Sequence, residues 1–543
     1  MKYKFKLYSY LLLPITLLTL SCKSGDTTST AKTDETQPGG QEERVTATEQ
    51  RVTEGNASAP GQGKLHKPNI VFVLTDDQGM GDLSCMGNPY LKTPHIDSFH
   101  AKSSRFSDFH VSPTCSPTRA ALMSGRHPLE VGVSHTVRYR ERLAKEVITM
   151  PQVLQQAGYQ TGIFGKWHLG DEEAYLPQKR GFHEVLIHPA GGLCQFQWGD
   201  FKANEAAKYF DNVLLHNDTI VQTKGFCTDL FFDAALVWTK KQLNAKQPFF
   251  TYISLNAPHG PMYAPEKNIK RFTDQGFDKE AAARYGMVEN IDENFGKLMN
   301  HLEQWKALEN TLVIFMTDNG MAMGSFKING KKHQAYNAGM KGKKNSSDEG
   351  GTRVPSFWYW KGKTHEGIDI PALTRHLDLY RTFCELTGAD IPESKMPPRG
   401  RSLVPLLADP EEATANWQDR TLFVHRARWN DGRWNHQSRE QAKYKGCAVR
   451  SQRWRLVNDT ELYDISADPG QKKNVADQHP EVLKQLSDAY DTWWDTLAPF
   501  LNNEDLPWVE PGEYHMQKRY RAQLKDKGIP DWAPEYSLLS SSE

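Results

Sequence analysis

Asn69-Ile-Val-Phe-Val-Leu-Thr75, running straight into Asp76-Asp77-Gln78-Gly79, is the stretch that decides the fold. Its apolar residues do not alternate with polar ones. A strand with one wet face alternates, whereas a strand buried on both faces reads as a continuous apolar run. The segment therefore predicts a strand of a parallel sheet with two carboxylates at its carboxyl end. The same pattern recurs along the chain. Gln160-Thr-Gly-Ile-Phe-Gly165 ends in Lys166-Trp167-His168, and Pro248-Phe-Phe-Thr-Tyr-Ile-Ser-Leu255 ends in Asn256-Ala257-Pro258-His259. Asn310-Thr-Leu-Val-Ile-Phe-Met-Thr317 ends in Asp318-Asn319-Gly320. Helical stretches lie between them, among them 150–157, stopped by Gly158, and 278–305. Strands alternating with helices predict an α/β fold with a mainly parallel sheet sandwiched by helices. Such sheets bind ligands at the carboxyl ends of their strands. Strands that each terminate in charged or ligating residues predict an active site there.

Outward from this core the chain changes character at both ends. Lys2, Lys4 and Lys6 precede an apolar run that stops at Leu20-Ser21-Cys22, too short and wrongly flanked for a transmembrane helix. The run has the form of a signal peptide (1–22), and its end resembles a bacterial lipoprotein box with Cys22 as the lipidated residue. An exported protein, held to a bacterial membrane by lipid alone on the periplasmic or cell-surface side, is the expectation. Residues 23–65 are rich in Ser, Thr, Gln, Glu and Gly, cannot bury enough surface to offset ordering entropy, and predict a disordered tether. A catalytic domain is expected over 66–416. From 417 to 500 short apolar runs at 420–425, 445–450, 454–457 and 461–465 predict a small antiparallel sheet, followed by a helix from Pro480. Leu483, Leu486, Tyr490, Trp493, Trp494 and Leu497 fall at helical spacing and predict core packing. The tail, 501–543, has no clear periodicity.

The 543 residues suffice for one large domain and a smaller one. With 66 basic and 66 acidic residues there is no basic excess of the kind nucleic-acid binding requires. The seven cysteines form no metal-type C-x-x-C pair and identify no disulfide.

Asp76, Asp77, Asp318 and Asn319 offer hard oxygens without thiolate or imidazole, a set that selects Ca²⁺ or Mg²⁺ over zinc. Either pair alone is as readily a turn or a helix cap. Two pairs at two strand ends point to a shared cation, since gathered carboxylates repel. Cys115 stands before Ser116-Pro117, and Pro favours the first turn of a helix, so Cys115 is expected at a helix N-terminus with Arg119 one turn along. On these residues alone Cys115 is a low-pKa thiolate nucleophile, although soft sulfur suits a hard cation poorly.

The run C-S-P-T-R (115–119) resembles the C/S-x-P-x-R signature of the type I sulfatases. The resemblance extends from Asn69 to the Trp493-Trp494 helix. D-D-Q-G-M-G-D (76–82), T-P-H-I-D (93–97), G-K-W-H-L-G (165–170), A-P-H (257–259) and T-D-N-G (317–320) are similar to family blocks in family order. In M-K-G-K-K-N-S-S-D-E-G-G-T-R-V-P (340–355) the family's lysine, five residues before E-G-G, corresponds to Lys344, with Lys341 and Lys343 beside it and Asp348 where the family has an aromatic residue. The resemblance implies an alkaline-phosphatase-like α/β fold with a smaller C-terminal subdomain of antiparallel sheet plus helix. It implies a sulfatase that hydrolyses sulfate esters, and with the leader and tether it leads us to expect a sulfated polysaccharide or oligosaccharide as substrate. It further implies that Cys115 is converted to formylglycine (3-oxoalanine) by a formylglycine-generating or anaerobic sulfatase-maturating enzyme. One Ca²⁺ per chain would be held by Asp76, Asp77, Asp318, Asn319 and an oxygen of modified Cys115. The hydrated aldehyde would attack sulfur. Arg119 would hold residue 115, Lys166 and Lys344 the sulfuryl charge. His259 would protonate the leaving oxygen, and His168 would take the proton that lets sulfate depart.

Arg426, Trp429, Arg433, Trp434 and His436 form a basic, aromatic stretch that suits anionic sugars as well as it suits a solvated loop with buried tryptophans. Two other functions stay open on sequence: a phosphodiester or phosphonate hydrolase of the same superfamily, and a catalytically silent glycan-binding lipoprotein.

Overall fold

The computed structural model describes residues 67–188, 190–192, 209–429, 437–501, 503–504, 506 and 514–540. Cys22, the 23–65 segment, Arg433, Trp434 and His436 lie outside the described residues.

One ten-stranded sheet organises the large part of the chain. Its strands are β1 (Asn69–Thr75), β2 (Ser104–Phe106), β3 (Gln160–Lys166), β4 (Glu184–His188), β5 (Val213–His216), β6 (Thr219–Gln222), β7 (Phe249–Ser254), β8 (Thr311–Thr317), β9 (Ser356–Tyr359) and β10 (Ile368–Ile370). Their spatial order is β10-β2-β9-β8-β1-β7-β3-β4-β5-β6. The inner strands β8, β1, β7, β3 and β4 run parallel. β9 and β5 pair antiparallel on either side of them. Every residue of β1 is buried, and its neighbours alternate between two cores. Ile70, Phe72 and Leu74 face one apolar cluster, Val71 and Val73 the other. This is why the strand reads as an unbroken apolar run.

Helices supply the rest of each core. On the first face, α1 (Cys115–Ser124) contributes Ala120, Leu122 and Met123, α2 (Met150–Gln156) contributes Val153 and Leu154, and a later helix, Asp378–Thr387, contributes Leu379 and Phe383. On the second face, α3 (Cys227–Asn244) contributes Leu230 and Phe231, and α4 (Lys279–Gln304) contributes Met287, Ile291 and Phe295. Each such side chain gives roughly 1.5–3 kcal/mol on burial, so the two layers hold the strand ends in fixed register.

A separate four-stranded antiparallel sheet follows: Leu422–His425, Cys447–Arg450, Trp454–Val457 and Glu461–Asp464 in sequential order. The helix Pro480–Asp495 lays Leu486, Tyr490, Trp493 and Trp494 on it. A buried ion cluster joins this sheet to the large one. Glu349, fully buried, accepts from Arg450 Nε at 3.0 Å and Arg455 Nη1 at 2.6 Å, and Arg450 Nη2 reaches Asp108 Oδ2 at 3.1 Å.

The tail is not idle. In the helix His515–Asp526, Gln523 imitates a missing strand: its Oε1 accepts from Ile220 N at 2.9 Å and its Nε2 donates to Ile220 O at 2.7 Å. Trp532 N donates to Gln222 O at 2.8 Å. The open edge at β6 is thereby covered, as exposed strand edges require.

Candidate active site

The sheet delivers the site residues at its carboxyl edge. Asp76 and Asp77 follow β1, Lys166 ends β3, His259 follows β7, and Asp318 and Asn319 follow β8. Two close backbone approaches shape this edge. Gly165 has φ +121, and a Cβ there would stand 2.0 Å from Ser254 O, so only glycine lets β3 and β7 touch before Lys166. A Cβ on Gly320 would stand 1.9 Å from Gly350 O, which presses the Asp318-Asn319 turn against the Glu349-Gly350-Gly351 turn. Asp77 and His168 both hold left-handed backbone, φ 65 and φ 64. Asp and His tolerate it better than most residues, but the surrounding structure must still enforce it.

Each carboxylate has its own cation. Lys166 Nζ donates to Asp76 Oδ2 at 2.6 Å, and both side chains are fully buried. Lys344 Nζ lies 2.6 Å from Asp77 Oδ1, and Arg119 Nη2 lies 2.9 Å from Asp318 Oδ2. The repulsion expected among the acids is therefore already answered by protein groups and does not itself require a metal. Unpartnered oxygens argue for one instead. Asp76 Oδ1 and Asn319 Oδ1 are buried with no hydrogen-bond partner among the described residues. Asp76, Cys115 and Asp318 each offer a ligand atom within 4.8 Å of the others. Burial, partly offset by Lys166, pushes the Asp76 carboxyl up to about 6, and burial with the neighbouring Asp76 pushes Asp318 up to about 7. Asp77 behaves oppositely: burial would raise it, but Lys344, His259 and the Asn319 amide hold it well below the usual carboxylate range. Oxygens held in this way fit a hard divalent cation. The Cys115 sulfur does not, whereas an oxygen at residue 115 would.

Cys115 begins α1 and is 2 % exposed. Burial works against its thiolate, but Lys166 and Lys344 outweigh it and bring the thiol below its ordinary value. One turn on, Arg119 is clamped by Asp318, by Lys166 O at 3.2 Å, by Leu255 O at 3.2 Å and by Ser254 Oγ at 2.5 Å. With so many partners Arg119 ties β3, β7 and β8 together beneath residue 115.

The two histidines are fixed in defined tautomers. His168 Nε2 lies 2.7 Å from Thr136 O. A carbonyl only accepts, so Nε2 carries the hydrogen and Nδ1 the lone pair. That Nδ1 is buried and has no partner among the described residues. Burial and Lys166 depress the ring well below its ordinary value, which keeps it neutral. His259 Nδ1 lies 2.8 Å from Gly260 O, so its Nε2, 3.8 Å from Asp77 Oδ2, can donate only from the imidazolium. Burial lowers this ring, and Asp77 opposes the shift.

The ten residues expected at the site on strand-end and motif grounds thus meet at one edge of the sheet. Among the three lysines of 340–344, Lys341 turns to Glu461 at 2.8 Å and Lys343 to Ala322 O at 3.4 Å, and only Lys344 reaches Asp77. The expectation that Trp429 offers its face to a sugar is corrected. It is 3 % exposed, packs 5.7 Å from Trp494 and 5.4 Å from His425, and donates its indole hydrogen to Glu504. Arg426 is half-buried over Gly446. Sequence reasoning missed Ser254, Thr136 and Glu504. Arg428 Nη2 donates to Thr136 Oγ1 at 3.0 Å, and Glu504 takes hydrogen bonds from Ser134 and Trp429, so the C-terminal regions grip the segment that orients His168.

Comparison with known proteins follows this geometry. The sulfatase family profile matches residues 68–389, and a second, N-sulphoglucosamine sulphohydrolase, C-terminal, matches 343–492. The N-acetylgalactosamine-6-sulfatase of Canis lupus familiaris is 31 % identical over 394 residues, covering 68 % of this chain and 70 % of that protein. The N-acetylgalactosamine-6-O-sulfatase of Bacteroides thetaiotaomicron is 27 % identical over 517 residues, covering 82 % and 95 %. Among solved structures, Ps i-CgsB in complex with k-i-k-neocarrahexaose superimposes with a TM-score of 0.69 at 27 % identity, covering 87 % of this chain and 99 % of that one.

Proposed function

The chain belongs to the sulfatase family, and from that premise we propose that it cleaves sulfate esters of an oligosaccharide or polysaccharide at the cluster around Cys115. The observation that carries the assignment is the convergence of Asp76, Cys115 and Asp318 within 4.8 Å, ringed by Lys166, Lys344 and Arg119.

Asp76, Asp77, Asp318 and Asn319 would hold Ca²⁺, and Cys115 would be matured to formylglycine. When present, calcium would supply positive charge for the sulfuryl oxygens, and formylglycine would supply a hydrated aldehyde oxygen as the nucleophile. Arg119, locked from four sides, orients residue 115. Lys166 and Lys344 are the cations that act most strongly on that residue, and ammonium groups preorganised there hold developing sulfuryl charge without reorganising. His168 keeps Nδ1 unprotonated because Thr136 O occupies its Nε2 hydrogen, so Nδ1 is the atom that takes a proton. His259 delivers a proton from Nε2 to the leaving oxygen, and Asp77 favours the charged ring that this requires.

A sugar substrate is supported by the oligosaccharide seated in the related structure and by the sulfated amino sugar in the relatives' names. The leader ending at Cys22 supports an exported, lipid-anchored enzyme, and Cys115 requires a maturating enzyme as partner. Among the described residues no helix is long and apolar enough to cross a membrane.

The test is turnover of an aryl sulfate against the matching aryl phosphate by protein co-produced with a maturating enzyme. Sulfate preference by about 100-fold or more in kcat/KM is expected. Preference for phosphate would overturn the assignment.

A further inference from the structure

His188 ends β4 and stands in register with Lys166 at the end of β3. Partners in a parallel pair point to the same face, so the imidazole and the lysine side chain lie side by side at the catalytic edge. Trp167 N donates to His188 O at 3.3 Å and fixes the two strand ends together. His188 is 0 % exposed, and among the described residues neither ring nitrogen has a hydrogen-bond partner. The groups that press on it are Lys166, Arg119, His168 and His259, after burial itself, and all of them disfavour its charged form. A neutral imidazole carries one donor and one acceptor. To leave both unmet in a dry interior is costly, and buried polar groups that protein atoms do not meet are met by water.

Lys166 has the complementary need. Its ammonium has three hydrogens, and the described residues take one of them, at Asp76 Oδ2. One ammonium hydrogen is required by the sulfuryl group, which leaves one more. We propose that His188 is a positioning residue for Lys166: a buried water accepts that hydrogen and donates to the acceptor nitrogen of His188. The ammonium is then held by Asp76 on one side and by the water on the other, and its remaining hydrogen is aimed at the sulfuryl oxygens. This inference rests on the sulfatase reading but assigns a residue outside the motifs that carry it.

The experiment uses matured, calcium-loaded enzyme. It measures aryl sulfate kinetics and the affinity for inorganic sulfate, the latter from the sulfate-dependent shift in melting temperature. His188→Leu is expected to lower kcat/KM about tenfold and to weaken sulfate by a similar factor, with a melting temperature no lower than wild type. His188→Gln, which keeps a donor and an acceptor, is expected within about threefold of wild type. In a Lys166→Met background His188→Leu should weaken sulfate no further. Unchanged kinetics and sulfate affinity in His188→Leu would overturn the proposal. So would a full additional loss in the Lys166→Met background, or a glutamine variant as defective as leucine. If the leucine variant does not fold, His188→Met replaces it in both backgrounds. Wild-type enzyme without aryl sulfatase activity would defeat the sulfatase reading instead, while the sulfate affinities would still decide the role of His188.

Discussion

Asp76 gives one oxygen to Lys166 and keeps the other, Oδ1, buried and, among the described residues, unpartnered, as Asn319 does with its own Oδ1. These two atoms would locate a cation better than the count of acids does, because each acid is already paired. The pairing leads to a measurable proton balance. With the carboxyls of Asp76 and Asp318 pushed up to about 6 and about 7, both hold protons in the metal-free protein at mildly acid pH. Metal binding demands the carboxylates and expels those protons. Calorimetric calcium titration at pH 6 in buffers of different ionisation enthalpy should show proton release that fades by pH 8.5. Asp76→Asn should reduce it, leaving the larger share from Asp318, and weaken calcium about tenfold or more. No proton release at pH 6 would place calcium elsewhere. At this scale the sequence was legible at the ends of β1, β3, β7 and β8, the strands whose apolar runs stand out. It was undecided at Trp429, because a tryptophan in a basic stretch looks the same whether it stacks on a sugar or on Trp494. It was silent at His188, whose meaning comes from its register with Lys166.

The segment 132–142 is where distant parts of the chain meet the chemistry. Thr136 O fixes His168, and the segment is itself gripped from outside: Asn503 Nδ2 donates to Gly132 O and Arg142 O at 2.8 and 2.9 Å, and Arg140 Nη2 donates to Glu504 O at 2.9 Å. Glu504 is the hinge of this grip through Ser134 and Trp429. Glu504→Ala should cost about 2 kcal/mol of stability, the loss of hydrogen bonds to a charged group. It should also lower kcat severalfold with KM little changed, measured on an aryl sulfate small enough not to touch the outer cleft. A stability loss with unchanged kcat would show that the grip does not extend to His168. Parallel strands and the helix stripe of Pro480–Asp495 announce themselves by local periodicity. The tail has none, because its work is done by single residues such as Gln523 and Glu504 across more than 300 positions of sequence.

The whole molecule carries an acid liability built from buried groups that must not take up protons. His127 and His376 are depressed well below their ordinary value by burial and nearby Arg375, and burial brings His425 down to about 4. Unfolded, each titrates near 6.5. Below that pH the unfolded chain binds more protons than the native one, so stability rises with pH through this window and is lost as pH falls. Each ring contributes about 1.4 kcal/mol per pH unit until its native value is reached, and His425 ceases to contribute below about 4. Glu349 adds to the same trend lower down: Arg450 and Arg455, with His110, overcome burial and hold it below the usual range, and that stability disappears as it is forced to protonate. Urea unfolding at pH 7, 6 and 5 should show a shallower pH dependence in His425→Gln than in wild type, and an unchanged slope would contradict this role. Glu349→Ala should cost about 3–5 kcal/mol at pH 7, since it leaves Arg450 and Arg455 buried without their carboxylate. The mainly parallel sheet and its small antiparallel companion followed from strand and helix patterns; the spatial order of the strands did not. The cluster that joins the two sheets did not either, because Asp108, Glu349, Arg450 and Arg455 come from segments far apart in the chain and only the fold makes them one site.

The account depends most on the identity of residue 115. Mass spectrometry of the peptide spanning Cys115, from protein made in a host that carries a maturating enzyme, measures it directly. Conversion of the thiol to an aldehyde lowers that peptide by about 18 Da, and the account predicts this shift in the active enzyme together with its loss in Cys115→Ala, which should be folded and inactive. Active enzyme in which residue 115 is entirely unmodified cysteine would contradict it.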